Sequence, residues 1–583
     1  MQIKWMKGIQ ATVIGGWLGA AGIMPAGDAR TNCWFTTYSG QYARIYTNDV
    51  MQADGTALTT WSNGSQTQSL PAYNGVQEVY ASTNWVYVRS TGLASYNMGP
   101  WYLNAQHSAG FPNLPVNQKL LYRFPRTNAV PATKTANGGG QIGVFVDGVA
   151  MFNSWDAYTW DTNTSADTQN ITGYWNRDAY VNEGATFDAG YAHQQNTGVY
   201  HYHANPIALR YLLGDHVNYN ATAKNYSEAT NPPTQHSPIL AWTADGYPLY
   251  GPYGYANATN AGSGIRRMVS GYVIRNGSYG TSNLTVNGRS TIPQWAARLF
   301  NVSSNQSGPN VGASYPLGRY MEDNDYLGDH GYVQGVDFDL DQYNGRYCVT
   351  PEFPNGTYAY FSAIASNGTP VFPYNVGRGY YGSPVGGSVA SISETVVTNF
   401  LGYTNLAATL AEPGVQRGAV TLSWSALEGG SYQVETSTNL AGTAGWTVLA
   451  AGVPPNETAG GYTNVTSLAQ GFYRVSRTSV AAYDSAGTTT FSTGVAVPGG
   501  SASRGSTVTV TITLPSTPPW PPANAPITSV ILAGSITGTG ISDATQGQVA
   551  ATFTIPANAA TGLQSIVVVF SGPTYTVTGL TLN

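Results

Sequence analysis

Apolar and polar residues alternate with a period of two along most of the chain, and stretches with a helical period are few and short. Segments 142–146 and 149–152, joined by Asp147-Gly148, predict a β-hairpin with a tight turn, because Asp-Gly tolerates the positive backbone angles such a turn demands. Segments 239–244 and 247–250 repeat the device around Asp245-Gly246, with Pro248 expected to weaken the second strand or confine it to a sheet edge. Glycine, proline and asparagine separate many further short strands rich in tyrosine, valine and tryptophan. The pattern predicts a large, loop-rich, antiparallel β module. Its expected end is the small and flexible tract 382–391, Gly-Ser-Pro-Val-Gly-Gly-Ser-Val-Ala-Ser.

Two shorter patterns follow. In the first, Val420, Leu422 and Trp424 alternate with Thr421 and Ser423, a second strand covers 432–436, and Trp446 and 472–475 complete a small β-sandwich. In the second, Val508, Val510, Ile512 and Leu514 face one way while Thr507, Thr509, Thr511 and Thr513 face the other, with Phe553, Ile555 and 566–570 as further core. These segments resemble the fibronectin type III-like and immunoglobulin-like modules of exported bacterial proteins. That resemblance implies spacing, attachment or polymerisation. The expected fold class is all-β: a signal peptide at 1–29, a large module at 30–385, and β-sandwiches at 386–484 and 485–583.

Composition narrows the function. The chain has 583 residues, of which 9% are charged and 42% hydrophobic, with a net charge of −5. Low charge joined to ample hydrophobicity argues for packed cores rather than disorder. Only five lysines occur, none after Lys224, so there is no cationic stripe for nucleic acid, and no phosphate-binding loop for a nucleotide. Lys4 and Lys7 followed by the uncharged, mostly apolar stretch 9–24 and small residues at Gly27 and Ala29 predict a cleaved export signal. No later stretch is long and apolar enough to span a membrane, so a secreted or cell-surface location is expected. In that setting Cys33 and Cys348 are expected to form a disulfide, whose long loop has a chain-entropy ceiling of about 5–6 kcal/mol. About fourteen Asn-x-Ser/Thr sequons, including Asn170, Asn220, Asn276 and Asn355, add candidate glycosylation sites.

All seven histidines precede the flexible tract. The chemical signal is Tyr200-His201-Tyr202-His203, since strand residues two apart share a face and lie about 6.6 Å apart along the chain. His201 and His203 can approach one metal, with Tyr200 and Tyr202 on the opposite face. A turn at 194–198 folds His193 back beside them, and His236 is the expected long-range fourth ligand. Imidazoles suit zinc or copper. The alternative is half-buried histidines that only brace the fold. The Tyr-His-Tyr-His tract resembles the motif of the bacterial YHYH-domain proteins. So do the tracts from His236 to Gly254, including Asp245-Gly246, and from Asn344 to Phe361, within a likeness running from about 32 to 382. It implies that His201, His203, His236 and Asp245 are shared for a reason; where relatives often carry a Gly-Gly-His-like tract, this chain has Gly190-Tyr191-Ala192-His193.

Glu183 and Asp188 are candidates for a general base or an oxygen ligand, against the alternative of solvated loop carboxylates. Asp337, Asp339 and Asp341 offer alternating oxygens to calcium, without the glycine and closing glutamate of an EF-hand loop. Two functions fit. One is an exported metalloprotein acting on an extracellular polymer by hydrolysis or oxidation. The other is a structural or adhesive surface protein that self-associates through open sheet edges.

Overall fold

The computed structural model describes residues 28–490, apart from 170–172, 417–418, 439–444 and 466–470. Beyond 490 it describes 500–502, 507–513, 527–532, 536–545, 548–556, 559, 562–570 and 574–582. Residues 1–27 of the expected signal peptide, Asn170 and Leu514 lie outside the described residues. The chain is nearly all β, with 38% strand and 10% helix. No helix among the described residues is long and apolar enough to cross a membrane.

Eight strands build the sheet that carries the histidines: β1 (Gln141–Phe145), β2 (Ala150–Phe152), β3 (Ala192–Gln194), β4 (Tyr200–Tyr202), β5 (Ile239–Thr243), β6 (Pro248–Tyr250), β7 (Gly345–Cys348) and β8 (Thr357–Phe361). Their spatial order is β3-β4-β2-β1-β5-β6-β8-β7. Both expected hairpins form, with φ of 84° at Gly148 and 78° at Gly246. In each, an aspartate oxygen accepts the backbone N–H two residues on, from Val149 and from Tyr247. Strand β5 is buried at every residue, because other structure covers both faces of the sheet.

Two expectations about this sheet need correction. It is mixed rather than wholly antiparallel, since β4 runs parallel to β2 and β6 parallel to β8. Long excursions separate each of these pairs in sequence, which is what a parallel pairing requires. Pro248 is also not at an edge: β6 lies between β5 and β8. The proline is tolerated because it is the first residue of the strand, and the pairing with β8 starts one residue later, at Leu249.

A five-stranded sheet packs beside this one, in the order Gly387–Ser388, Leu120–Pro125, Trp85–Ser90, Val76–Ala81, Val397–Leu401. Its outer strands come from beyond residue 385. Ile392 and Val396 complete a small core with Tyr80, Tyr87 and Leu121. Further on, two three-stranded sheets enclose Leu422, Trp424, Ala426, Tyr432 and Val434, with Thr421 and Ser423 exposed as the alternation predicted. In the last part, a five-stranded and a three-stranded sheet supply Val530, Leu532, Val549, Phe553, Ile555 and Ile566 to the interior.

The expected disulfide is not formed: Cys33 and Cys348 are both free thiols. The Cys33 sulfur instead accepts the Trp242 indole N–H at 2.9 Å. Burial pushes the Cys33 thiol up to about 12 and raises that of Cys348, so neither is a ready thiolate.

Candidate metal centre

Strands β3 and β4 are joined by a short turn, and their register places His193 directly opposite His201. His203 follows two residues later on the same face, as the strand period requires. The donor atoms of these three histidines lie within 4.8 Å of one another, and all three residues are buried. This is the only such group of His, Cys, Asp or Glu donors among the described residues. It can hold a metal ion.

The other nitrogen of each ring is already committed. Nδ1 of His201 lies 2.9 Å from the Val199 carbonyl oxygen, and Nδ1 of His203 lies 2.5 Å from that of Asn153. A carbonyl only accepts, so both Nδ1 atoms carry the proton. Nδ1 of His193 lies 2.7 Å from the Thr186 hydroxyl, which spends its own proton on the Glu183 carbonyl at 2.7 Å. His193 is thereby the donor there as well. Three Nε2 lone pairs therefore face one another. Those of His201 and His203 are 3.0 Å apart, with no proton left for a hydrogen bond between neutral rings. Such a contact is unfavourable unless a cation or a proton lies between the rings.

Glu183 stands beside two of the histidines. Its Oε2 is 3.3 Å from His203 Nε2 and 3.7 Å from His193 Nε2. Although 28% of the side chain is exposed, this oxygen is enclosed and has no hydrogen-bond partner. Glu183 is the last residue of the short helix Ala179–Glu183, which Asp178 caps by accepting the Val181 N–H at 3.1 Å. Phe152 stacks on His201 at 3.9 Å, Phe187 lies edge-on to His193 at 4.9 Å, and Phe111 is 5.8 Å from His193.

The electrostatics follow from this enclosure. Burial, reinforced by the neighbouring imidazoles, holds His193 and His201 well below the usual histidine range. Burial lowers His203 to about 4. All three rings are neutral near pH 7, the state in which imidazole binds metal. Burial first, then Asp156 and Asp178, pushes Glu183 up to about 8 against the opposing charge of Arg177. An arriving cation would displace that proton.

The remaining candidates lie elsewhere. His236 does not join the group. Its Nδ1 is 2.7 Å from the Ser237 carbonyl, and its ring packs among Tyr250, Tyr255 and Phe361. It precedes β5, three strand positions from β4, or about 14 Å across the sheet. Asp245 binds the Thr243 and Tyr360 hydroxyls and the Gly382 N–H, so it ties a turn together. Asp188 accepts from Tyr200 at 2.5 Å and from the N–H groups of Gly99, Gly190 and Ala192, on the face opposite the histidines. The calcium candidates disperse as well: Asp339 pairs with Arg266 and Arg346, Asp341 accepts from Tyr358, and Asp337 accepts the Val333 N–H. Sequence spacing carried no signal for Asn153 or Phe152, which lie about 50 residues from the histidines they touch, nor for Thr186 and Phe187, which stand close before His193 but in chain without a periodic pattern.

Of the comparisons with known proteins, only the family match bears on the motif. No curated protein matches the chain. A stretch of a Bacteroides ovatus SGBP-B structure from a mixed-linkage glucan utilization locus, in complex with a mixed-linkage heptasaccharide, aligns at 12% identity and a TM-score of 0.10. The alignment covers 29% of this chain and 31% of that one. A chimeric titin Z1Z2 tandem aligns at 13% identity and a TM-score of 0.11, covering 30% of this chain and all of that one. The titin Ig tandem A164-A165 aligns at 7% identity and a TM-score of 0.11, covering 30% and 99%. Scores this low do not establish a shared fold. Residues 121–372, which carry the three histidines and Glu183, match the family described as YHYH protein.

Proposed function

We propose that this is an exported cell-surface protein in which His193, His201, His203 and Glu183 hold one zinc ion. The observation that carries the reading is the commitment of all three Nδ1 atoms to oxygen acceptors, which leaves three Nε2 lone pairs aimed at one point. Zinc at 2.0–2.1 Å from two imidazoles in a tetrahedron sets their nitrogens about 3.3 Å apart. The 3.0 Å between His201 and His203 is close to that spacing. Three nitrogens and one carboxylate oxygen suit zinc better than copper(II), which favours a square-planar or tetragonal set.

With all four donors engaged the tetrahedron is closed, the arrangement of a structural site. The ion would join the helix Ala179–Glu183 to strands β3 and β4, fastening chain that few regular elements support. Export rests on the N-terminal pattern and on the β-sandwich modules that follow. The test is elemental analysis of full-length protein purified without a histidine tag, alongside His201→Ala and His203→Ala. The expected result is about one zinc per chain, lost in both variants while the β circular-dichroism spectrum persists. Copper in place of zinc would correct the ion. Wild-type protein that takes up neither metal on reconstitution overturns the proposal.

A further inference from the structure

A second site is built on the same module without any contribution from the metal centre. The helix Gln294–Phe300 and the segments around 342–343 and 378–379 border a cleft of about 470 Å³. Lys134, Arg298 and Arg378 line it together with Trp295, Tyr343 and Gln342. Three cations around one cleft are notable in a chain with 24 basic residues against 29 acidic ones.

Their partners decide what the cleft lacks. Arg298 is paired with Asp329 at 2.8 Å. Arg378 is only 5% exposed, yet no carboxylate among the described residues lies within ion-pairing distance of it. Its Nη1 donates to the carbonyl and side-chain oxygens of Asn137 at 2.9 and 3.3 Å, while its Nε is buried with no partner. Glu322, the acidic group that most influences it, gives its two oxygens to Asn176. Asp341, the acidic group that most influences Lys134, is occupied by Tyr358 and by the N–H groups of Tyr343 and Gly345. No carboxylate among the described residues lies within ion-pairing distance of Lys134 either; its Nζ donates to the Tyr381 carbonyl at 2.5 Å and lies 4.5 Å from the Tyr381 ring. A buried guanidinium without a counter-ion is costly, and an anion in the cleft would relieve that cost.

The walls indicate which anion. Partly exposed tyrosines adjoin the cleft: Tyr343 lies 6.1 Å from Tyr381 between centroids and Tyr381 lies 5.5 Å from Tyr247, while Tyr358 stacks on one face of Tyr381 at 3.5 Å and leaves Tyr343 and Tyr247 as the less covered rings. Aromatic faces bordered by amide and hydroxyl groups suit flat, hydroxylated rings. We propose that this cleft binds a carboxylate-bearing sugar residue of an acidic polysaccharide. The carboxylate faces Arg378 and Lys134, and the neighbouring sugar units follow the tyrosines.

Calorimetric titration of the full chain with tetragalacturonate, its methyl ester and a sulfated galactose tetrasaccharide tests this. The acid is expected to bind, the ester at least tenfold more weakly, and added salt to weaken the acid selectively. Arg378→Met and Lys134→Met are each expected to lower affinity for the acid at least tenfold. If Arg378→Met does not fold, Lys134→Met, at a partly exposed position, carries the test. No binding of the acid, equal binding of the ester, binding of the sulfated sugar alone, or a Lys134→Met variant with wild-type affinity would each overturn the assignment.

Discussion

Thr186 makes no contact with the proposed ion, yet it decides which nitrogen of His193 is free. Its hydroxyl accepts from Nδ1 because its own proton is spent on the Glu183 carbonyl. Thr186→Val keeps the shape and removes the acceptor. The expected loss of zinc affinity is roughly 10- to 100-fold, the usual effect of such supporting hydrogen bonds, measurable by competition with a chromophoric chelator. Asp147 illustrates a different consequence of burial. Its carboxyl is pushed up to about 7, chiefly because it is buried with one oxygen unpartnered. The folded chain therefore holds that proton more tightly than the unfolded chain, where a carboxyl titrates near pH ~4. The resulting stability is complete below about pH 4 and is lost as the pH rises to about 7. Asp147→Asn is expected to flatten that part of the decline, seen as a smaller difference in Tm between pH 4.5 and pH 8 than in the wild type.

At the scale of elements, the period-two pattern and the two Asp-Gly turns identified β1, β2, β5 and β6, because local alternation and turn chemistry are properties of adjacent residues. They did not reveal that β4 lies parallel to β2, since that contact joins residues about 50 apart. The close fit of the sheet leads to a further prediction. A Cβ added at Gly143 would collide with the Trp242 carbonyl on β5, which is backbone and cannot swing away. Gly143→Ala is expected to destabilise by about 1–3 kcal/mol, the range for overpacked interiors, as a lowered urea midpoint with an unchanged slope.

Across the whole molecule, residues beyond 385 take part in the large module. Val397–Leu401 pairs with Val76–Ala81, and Arg89 donates to the backbone carbonyls of Ala486 and Thr488. Ile392 and Val396 are almost fully buried, and burying such side chains is worth about 1.5–3 kcal/mol each. A chain ended after 385 is expected to melt lower than one ended after 490, because Tyr80, Tyr87 and Leu121 lose their cover. Equal melting temperatures would show that the later segment adds nothing to the module.

The sequence by itself determined the all-β character, the hairpin turns, the alternation along 421–424, and the shared face of His201 and His203, since each follows from residues within a few positions. Only the tertiary structure decided that Glu183 stands beside His193 and His203 while His236 stands apart, and that Arg378 has no counter-ion among the described residues. Those outcomes depend on strand order and on excursions of tens to hundreds of residues, and no local period encodes which distant side chains will share a buried space.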